Sequence, residues 1–256
     1  IFFRNIKSGA INHLDRVKQF SFPDLHILVE ENRAYDQAIL FLRHAAEVMR
    51  EIFSEEWHVK ISTNKEFYTK KTDHFHEIEV ALNRKLDISL EEVQSRYFSY
   101  KLGLYVNGAY SEIMIFNLQF DNTNARLFNI SIDNGNELIV LHATLAGAIS
   151  RVYPALIGKG LKKKLKIFPT ALAPYHIGIV INKNCSNLEL VLQLEGIFQE
   201  NSVRFLRDDT QTSFKAKLKT IDGFWTPYLA VVPNSATELS AIKFFDRTEL
   251  DVVTIS

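Results

Sequence analysis

Ala38, Leu42, Ala45, Met49, Ile52 and Phe53 recur at steps of three and four, which places them on one face of a helix over residues 33–53. Residues 57–61 alternate apolar and polar, the period of a half-buried strand. Strand-like runs follow at 113–120 and 127–132, and the second enters a tight Asn134-Gly135 turn before returning through 138–141. Residues 143–156 read as a helix that Pro154 kinks or ends. Antiparallel strands with helices between or beside them imply an α+β domain.

The pattern changes at 158–166 (GKGLKKKLK), a basic segment with two glycines that reads as a linker. Beyond it come an apolar run at 175–181, a helix at 188–198 and a short strand at 203–206. A polar helix around 211–219 and a buried strand at 228–232 follow. That alternation describes a small α/β domain with a mainly parallel sheet. The expected division is a first domain over 1–157, a linker over 158–167 and a second domain over 168–256.

Composition narrows the picture slightly. The chain has 256 residues, 46% of them hydrophobic and 23% charged, an ordinary globular profile. Lys plus Arg and Asp plus Glu both number 30, so any nucleic-acid contact depends on a local patch rather than net charge. Cys185 is the one cysteine, which excludes a disulfide framework and fits a reducing cytoplasm. No apolar run approaches the roughly 18 residues of a membrane span, so no membrane association is expected. The chain opens on Ile1, and a preceding segment is expected.

Six segments resemble threonyl-tRNA synthetases, in the same order as in that family. Residues 3–28 (FRNIKSGAINHLDRVKQFSFPDLHIL) are similar to motif 2, roughly FRNE-SGAL-GL-RVR-F-QDDAHIF. Residues 65–71 (KEFYTKK) resemble the FYGPK segment, and 117–121 (NLQFD) the TIQLD strand. Residues 138–151 (LIVLHATLAGAISR) resemble motif 3, taken as the helix that ends in the family's arginine. In the second half, 168–174 (FPTALAP) resemble FPLWLAP and 224–232 (FWTPYLAVV) the later W-PY-VV strand. The resemblance implies a partial class II aminoacyl-tRNA synthetase core, from motif 2 through motif 3, followed by an α/β anticodon-binding domain.

It also implies roles. Arg4 and Arg151 would hold the phosphates of ATP, bound with Mg, and Phe20 would stack on adenine. A guanidinium suits phosphate because its planar fork bonds two oxygens and stays charged. Lys71 and Gln119 would join the catalytic set, and Asp24, Tyr68, Gln119 and Asp121 the substrate pocket. His26 and His142 match two ligands of the family's pocket zinc, whose third ligand, a cysteine, has no counterpart here. Glu238 and Arg247 match the anticodon-reading residues, where a carboxylate and an arginine fork can bond base edges. For every one of these the plain alternative is a packed or solvated side chain.

Departures from the family pattern are equally specific. Ile6 replaces a glutamate, Phe22 a glutamine, Pro23 an aspartate, and Ser150 the glutamate beside the motif 3 arginine; Thr69 and Lys70 replace Gly-Pro. An apolar group in place of a carboxylate leaves an arginine without its partner, at about 1–3 kcal/mol for each buried group. The ligase core therefore reads as degenerate. The expected function is binding of threonine tRNA by a cytoplasmic, homodimeric synthetase-like protein that supports editing by a preceding domain. Two alternatives stand beside it: an active threonine–tRNA ligase seen as a fragment, and a synthetase-derived interaction or polymerase-accessory subunit. No DNA partner is expected.

Weaker signals are His74 and His76 in a strand-like DHFHE, a metal pair or simply solvent-facing; Asp87, Glu91 and Glu92, a solvated face; and Lys162–Lys166 in the linker, touching RNA backbone or water.

Overall fold

A computed structural model describes residues 1–7, 9, 17–91, 97–108, 111–132, 136–161, 166–182 and 187–248. The chain divides into two compact units, Ile1–Lys159 and Gly160–Ser256.

The first unit is built on six strands: β3 (Leu25–Glu30), β4 (His58–Asn64), β5 (Leu86–Glu91), β6 (Phe98–Asn107), β7 (Glu112–Asp121) and β8 (Leu138–Thr144). Their order is β3-β8-β7-β6-β4-β5, antiparallel except for the β4–β5 pair. A parallel pair needs a crossover, supplied by helices α2 (Lys65–Lys70) and α3 (Thr72–Leu82). Asn64 caps α2, its Oδ1 accepting from the Phe67 amide at 2.7 Å. A two-stranded ribbon, β1 (Phe2–Phe3) with β2 (Gln19–Phe20), precedes the sheet.

One sheet face is the core. Helix α1 (Glu31–Phe53) buries Ala34, Ala38, Leu42, Ala45 and Met49, and Tyr35 stacks on Phe120 at 5.0 Å. From α3, His74 and Phe75 pack on Tyr100. Side chains alternate along a strand, so the neighbours of Phe120 and Tyr100, Gln119 and Lys101, point to the opposite face, which is polar and half-buried.

The second unit has four strands ordered β10 (Phe205–Asp208), β9 (Ile177–Ile181), β11 (Tyr228–Val232) and β12 (Lys243–Asp246). The first three are parallel and β12 is antiparallel. Strand β9 (IGIVI) is buried throughout. Ile177, Ile179 and Ile181 join the cluster formed with helix α6 (Leu188–Glu200), while Val180 joins Ile221 of helix α7 (Phe214–Gly223).

The structure corrects several sequence expectations. Residues 127–132 are not a strand: Asn124–Leu127 is a short helix, α4, and Leu127 and Phe128 stand exposed, so the apolar letters there mark surface. The Asn134-Gly135 turn lies outside the described residues. Motif 3 is a strand followed by a helix. Ala143 lies in β8, and helix α5 (Ile149–Leu161) begins later, with Arg151 in its first turn. Pro154 sits inside α5 rather than ending it, and the hydrogen bond it lacks is the one to the Ser150 carbonyl. Because α5 runs to Leu161, the linker's first residues, Gly158 to Leu161, are helical; 162–165 lie outside the described residues. His74 and His76 are helical, the first buried and the second exposed. The helix expected at 211–219 is Phe214–Gly223, capped by Ser213.

Candidate functional site

The β1–β2 ribbon and the β8–α5 turn bring distant segments of the first unit to one pocket. Phe2 and Phe22 stack at 4.3 Å, with Phe20 alongside at 5.9 and 5.7 Å. The Arg4 guanidinium sits 4.8 Å from the Phe20 ring centroid, so the ring that the resemblance assigns to adenine is engaged by Arg4 here. At the turn, Ala146 and Gly147 both take positive φ, 63° and 58°. A Cβ on Gly147 would lie 2.8 Å from the Ile115 carbonyl oxygen, so this close approach requires glycine. The turn ends in α5, whose first residues carry Ser150 and Arg151.

The pocket between them has a volume of about 250 Å³. Arg4, Lys101 and Arg151 line it, with Phe20, Phe22, Asn117, Thr144 and Ser150, and no carboxylate does so among the described residues. Asn117 Oδ1 is buried there without a hydrogen-bond partner. Nearby, burial pushes the Tyr105 hydroxyl pKa up, while Lys60 and Arg151 pull it down.

Of the sequence-predicted set, Arg4, Phe20 and Arg151 meet in this pocket; Lys71 and Tyr68 do not. They lie in α2 and at its end, where Lys71 Nζ is 4.7 Å from the Tyr35 ring and Tyr68 packs on Phe75. Tyr35 stacks on Phe120, so this is the helix-covered face of the sheet, opposite Gln119 and Lys101. The lysine that reaches the pocket is Lys101, which the sequence reading missed. Its segment, Tyr97-Phe98-Ser99-Tyr100-Lys101 (YFSYK), has the order of FYGPK: two aromatics, a small residue, one more, then lysine. The match placed at 65–71 thus puts its lysine, Lys71, on the other face of the sheet.

A second polar cluster lies around β8. His26 and His142 are cross-strand partners with ring centroids 4.6 Å apart, edge to face. Gln119 is the partner of both Lys101 and His142, and its Oε1 accepts from the Tyr97 hydroxyl. His142 Nε2 lies 2.7 Å from Oδ2 of Asp121, which is fully buried. Asp24 Oδ1 stands 4.0 Å from His26 Nδ1. No three His, Cys, Asp or Glu side chains converge to hold a metal among the described residues. His26 and His142 alone are two ligands, short of the set a tetrahedral zinc needs.

In the second unit, Glu238 is exposed and accepts from Ser240 Oγ at 2.5 Å. Arg247 is only 2% exposed. Its Nη1 donates to the Thr226 carbonyl at 2.8 Å and its Nη2 to Asp222. Burial pushes its pKa down and Asp222 pulls it back up. Placed so, Arg247 ties β12 to the end of α7 and presents no fork to a base. The reading role expected of it is corrected on that ground. Cys185 and the linker lysines Lys162, Lys163 and Lys164 lie outside the described residues; Lys166 is exposed.

No family model matches the chain. It is 26% identical to the threonine–tRNA ligase of Thermococcus gammatolerans, over 96% of this chain and 41% of that one. Against the threonine–tRNA ligase of Methanosarcina mazei it is 24% identical, over 96% of this chain and 40% of that one. The chain thus spans about two fifths of the length of the curated relatives it matches. Among solved structures, it resembles the RNA-binding domain of threonyl-tRNA synthetase from Cryptosporidium parvum. There the TM-score is 0.70 at 15% identity, covering 96% of this chain and 63% of that one. It also resembles a threonyl-tRNA synthetase of Aeropyrum pernix, with TM-score 0.69 at 19% identity, covering 90% of this chain and 56% of that one. The fold is that of a class II aminoacyl-tRNA synthetase-like core followed by an α/β domain. Within that class, the chain is threonyl-tRNA synthetase-like.

Proposed function

We propose that this chain binds threonine tRNA through its second unit and that its synthetase core no longer forms threonyl adenylate. The observation carrying the second half is the makeup of the pocket. Arg4, Lys101 and Arg151 line it without a carboxylate among the described residues. Ile6, Phe22 and Ser150 stand where the family resemblance calls for glutamate, glutamine and glutamate. RNA binding draws support from the Cryptosporidium parvum neighbour, which is described as an RNA-binding domain. With it we propose tRNA as the partner, support for editing of mischarged tRNA as the role, a homodimer as the assembly and the cytoplasm as the location.

The retention of three cations in one pocket favours a second reading, an active threonine–tRNA ligase of which this is a part. Threonine-dependent ATP–pyrophosphate exchange separates the two. The first reading expects none above background alongside retained tRNA binding; exchange at an ordinary synthetase rate overturns it. Failure to bind tRNA leaves the interaction-subunit reading instead.

A further inference from the structure

The segment after β7 carries four large apolar side chains into solvent. Leu127 and Phe128 are 68% and 71% exposed, and Ile130 and Ile132 are 41% and 39% exposed. The backbone beneath them is nevertheless ordered. The amides of Leu127, Phe128, Asn129 and Ile130 donate in turn to the carbonyls of Thr123, Asn124, Arg126 and Ala125, at 2.8–3.2 Å. Together the four side chains show roughly 400 Å² of apolar surface, as much as the largest patch on an ordinary monomer. A standard interface buries about 800 Å² on each partner, so this patch is large enough for the apolar centre of a modest one.

A pocket of about 250 Å³ opens beside the patch and shares Ile130 with it. Its lining includes the buried Ala125 and Leu138, and Phe128 lies outside it. A cavity of roughly 150 Å³ accepts benzene, so this one admits a phenylalanine ring. The pocket wall carries one charge of each sign, Arg126 and Glu137. Arg126 donates to the Asn122 carbonyl at 3.2 Å, and neither side chain has an ion-pair partner among the described residues. Knob, hole, cation and anion thus share one surface, which is what a second copy of that surface requires. Under a two-fold axis, Phe128 of each copy enters the pocket of the other while Arg126 faces the partner's Glu137. Net charge does not oppose the pairing, since Lys plus Arg and Asp plus Glu both number 30.

We infer that two copies of this chain associate through Arg126, Leu127, Phe128, Ile130 and Glu137, with each Phe128 seated in the other copy's pocket. This rests on the homodimer proposed above and names its contact surface. Sedimentation velocity of the full chain from about 1 to 200 µM should show a reversible monomer–dimer equilibrium with a micromolar Kd. Phe128→Ser should raise that Kd about tenfold or more, as loss of a central aromatic anchor does. Arg126→Glu and Glu137→Arg should each weaken association about tenfold, and the two together should bring it back to within about threefold of wild type. All three side chains are exposed, so thermal midpoints should stay in place. The anchor and charge-reversal arms are independent, so one misfolded variant leaves the other to decide. A wild-type chain that stays monomeric at about 200 µM overturns the inference. So does a dimer unmoved by Phe128→Ser, or charge reversals whose effects add instead of cancelling. The readings fail separately. A wild-type dimer indifferent to every substitution removes only this surface, a monomer removes the proposed homodimer as well, and tRNA binding measured on the same samples tests the remainder.

Discussion

His142 and Asp121 are joined across β8 and β7 by a 2.7 Å contact between Nε2 and Oδ2. The same carboxylate accepts from the Thr123 and Asn124 amides at 2.9 Å and from Asn124 Nδ2 at 2.7 Å. Asp121 is therefore a buried hub whose four partners fix the end of β7 and the orientation of the imidazole. Beside His26 and His142, no third ligand converges among the described residues. Purified chain should accordingly carry well under one zinc per molecule by elemental analysis. Stoichiometric zinc would require a ligand set beyond His26 and His142. Asp121→Ala should destabilise the first unit by about 2–4 kcal/mol in urea unfolding, since it removes a buried carboxylate from four part-buried donors.

His74 makes stability depend on acid. Burial, and then the charge of Lys71, hold its pKa down to about 4 from an ordinary 6.5. The folded state thus binds its proton less readily than the unfolded chain. Stability is complete above pH 6.5 and falls as pH drops from there towards 4. Between pH 7 and 5 the loss attributable to this group is about 2 kcal/mol. Urea unfolding at the two pH values should show that extra loss in the native chain and not in His74→Gln. Equal losses in both would mean that the proton is taken up elsewhere.

Gly147 sits at a positive φ of 58° with the Ile115 carbonyl against its missing side chain. Gly147→Ala should cost about 1–3 kcal/mol of stability, through left-handed strain plus the clash. An alanine variant with an unchanged melting midpoint would contradict this account.

Arg247 and Glu238 should separate cleanly in tRNA binding. Arg247→Ala leaves the buried Thr226 carbonyl without its donor and should cost about 1–3 kcal/mol of stability. It should weaken matched and altered anticodons alike. Glu238→Ala touches an exposed side chain, so the melting midpoint should stay and only discrimination should change. Filter binding with both tRNAs, beside thermal melts, decides. Selective loss of discrimination in a fully folded Arg247→Ala would restore its reading role.

Much of the fold was legible because periodicity reports burial directly. Helix α1 and strands β4, β7, β9 and β11 carry clean one-sided or fully apolar patterns, and each was recognised. Strand β6 was missed although its sequence FSYKLGLYVN alternates, with Phe98, Tyr100, Leu102, Leu104 and Val106 at every second position and Ser99, Lys101, Gly103, Tyr105 and Asn107 between them. The run at 127–132 failed because Leu127 and Phe128 are apolar yet exposed. In the site, Arg4 and Arg151 were found through motif order, while Lys101 was missed because the similar string at 65–71 was matched first. Only sheet pairing, which sets Lys101 beside Gln119, tells the two lysines apart. Burial of Arg247 was likewise invisible, because an arginine's letter does not reveal whether its fork is spent inside the fold.

Strand β9 has a consequence for protein synthesis. Both strands that flank it, β10 and β11, are encoded downstream, so Ile177–Ile181 emerges from the ribosome before either neighbour exists. Until Tyr228–Val232 has been made, one long edge of an Ile/Val-rich segment stays open, the type of surface that recruits another strand. A nonsense mutation between Asn182 and Tyr228 therefore does more than delete the end of the second unit. It releases a chain with an unsealed sticky edge, prone to aggregate or be degraded, while the first unit can still fold around its own sheet.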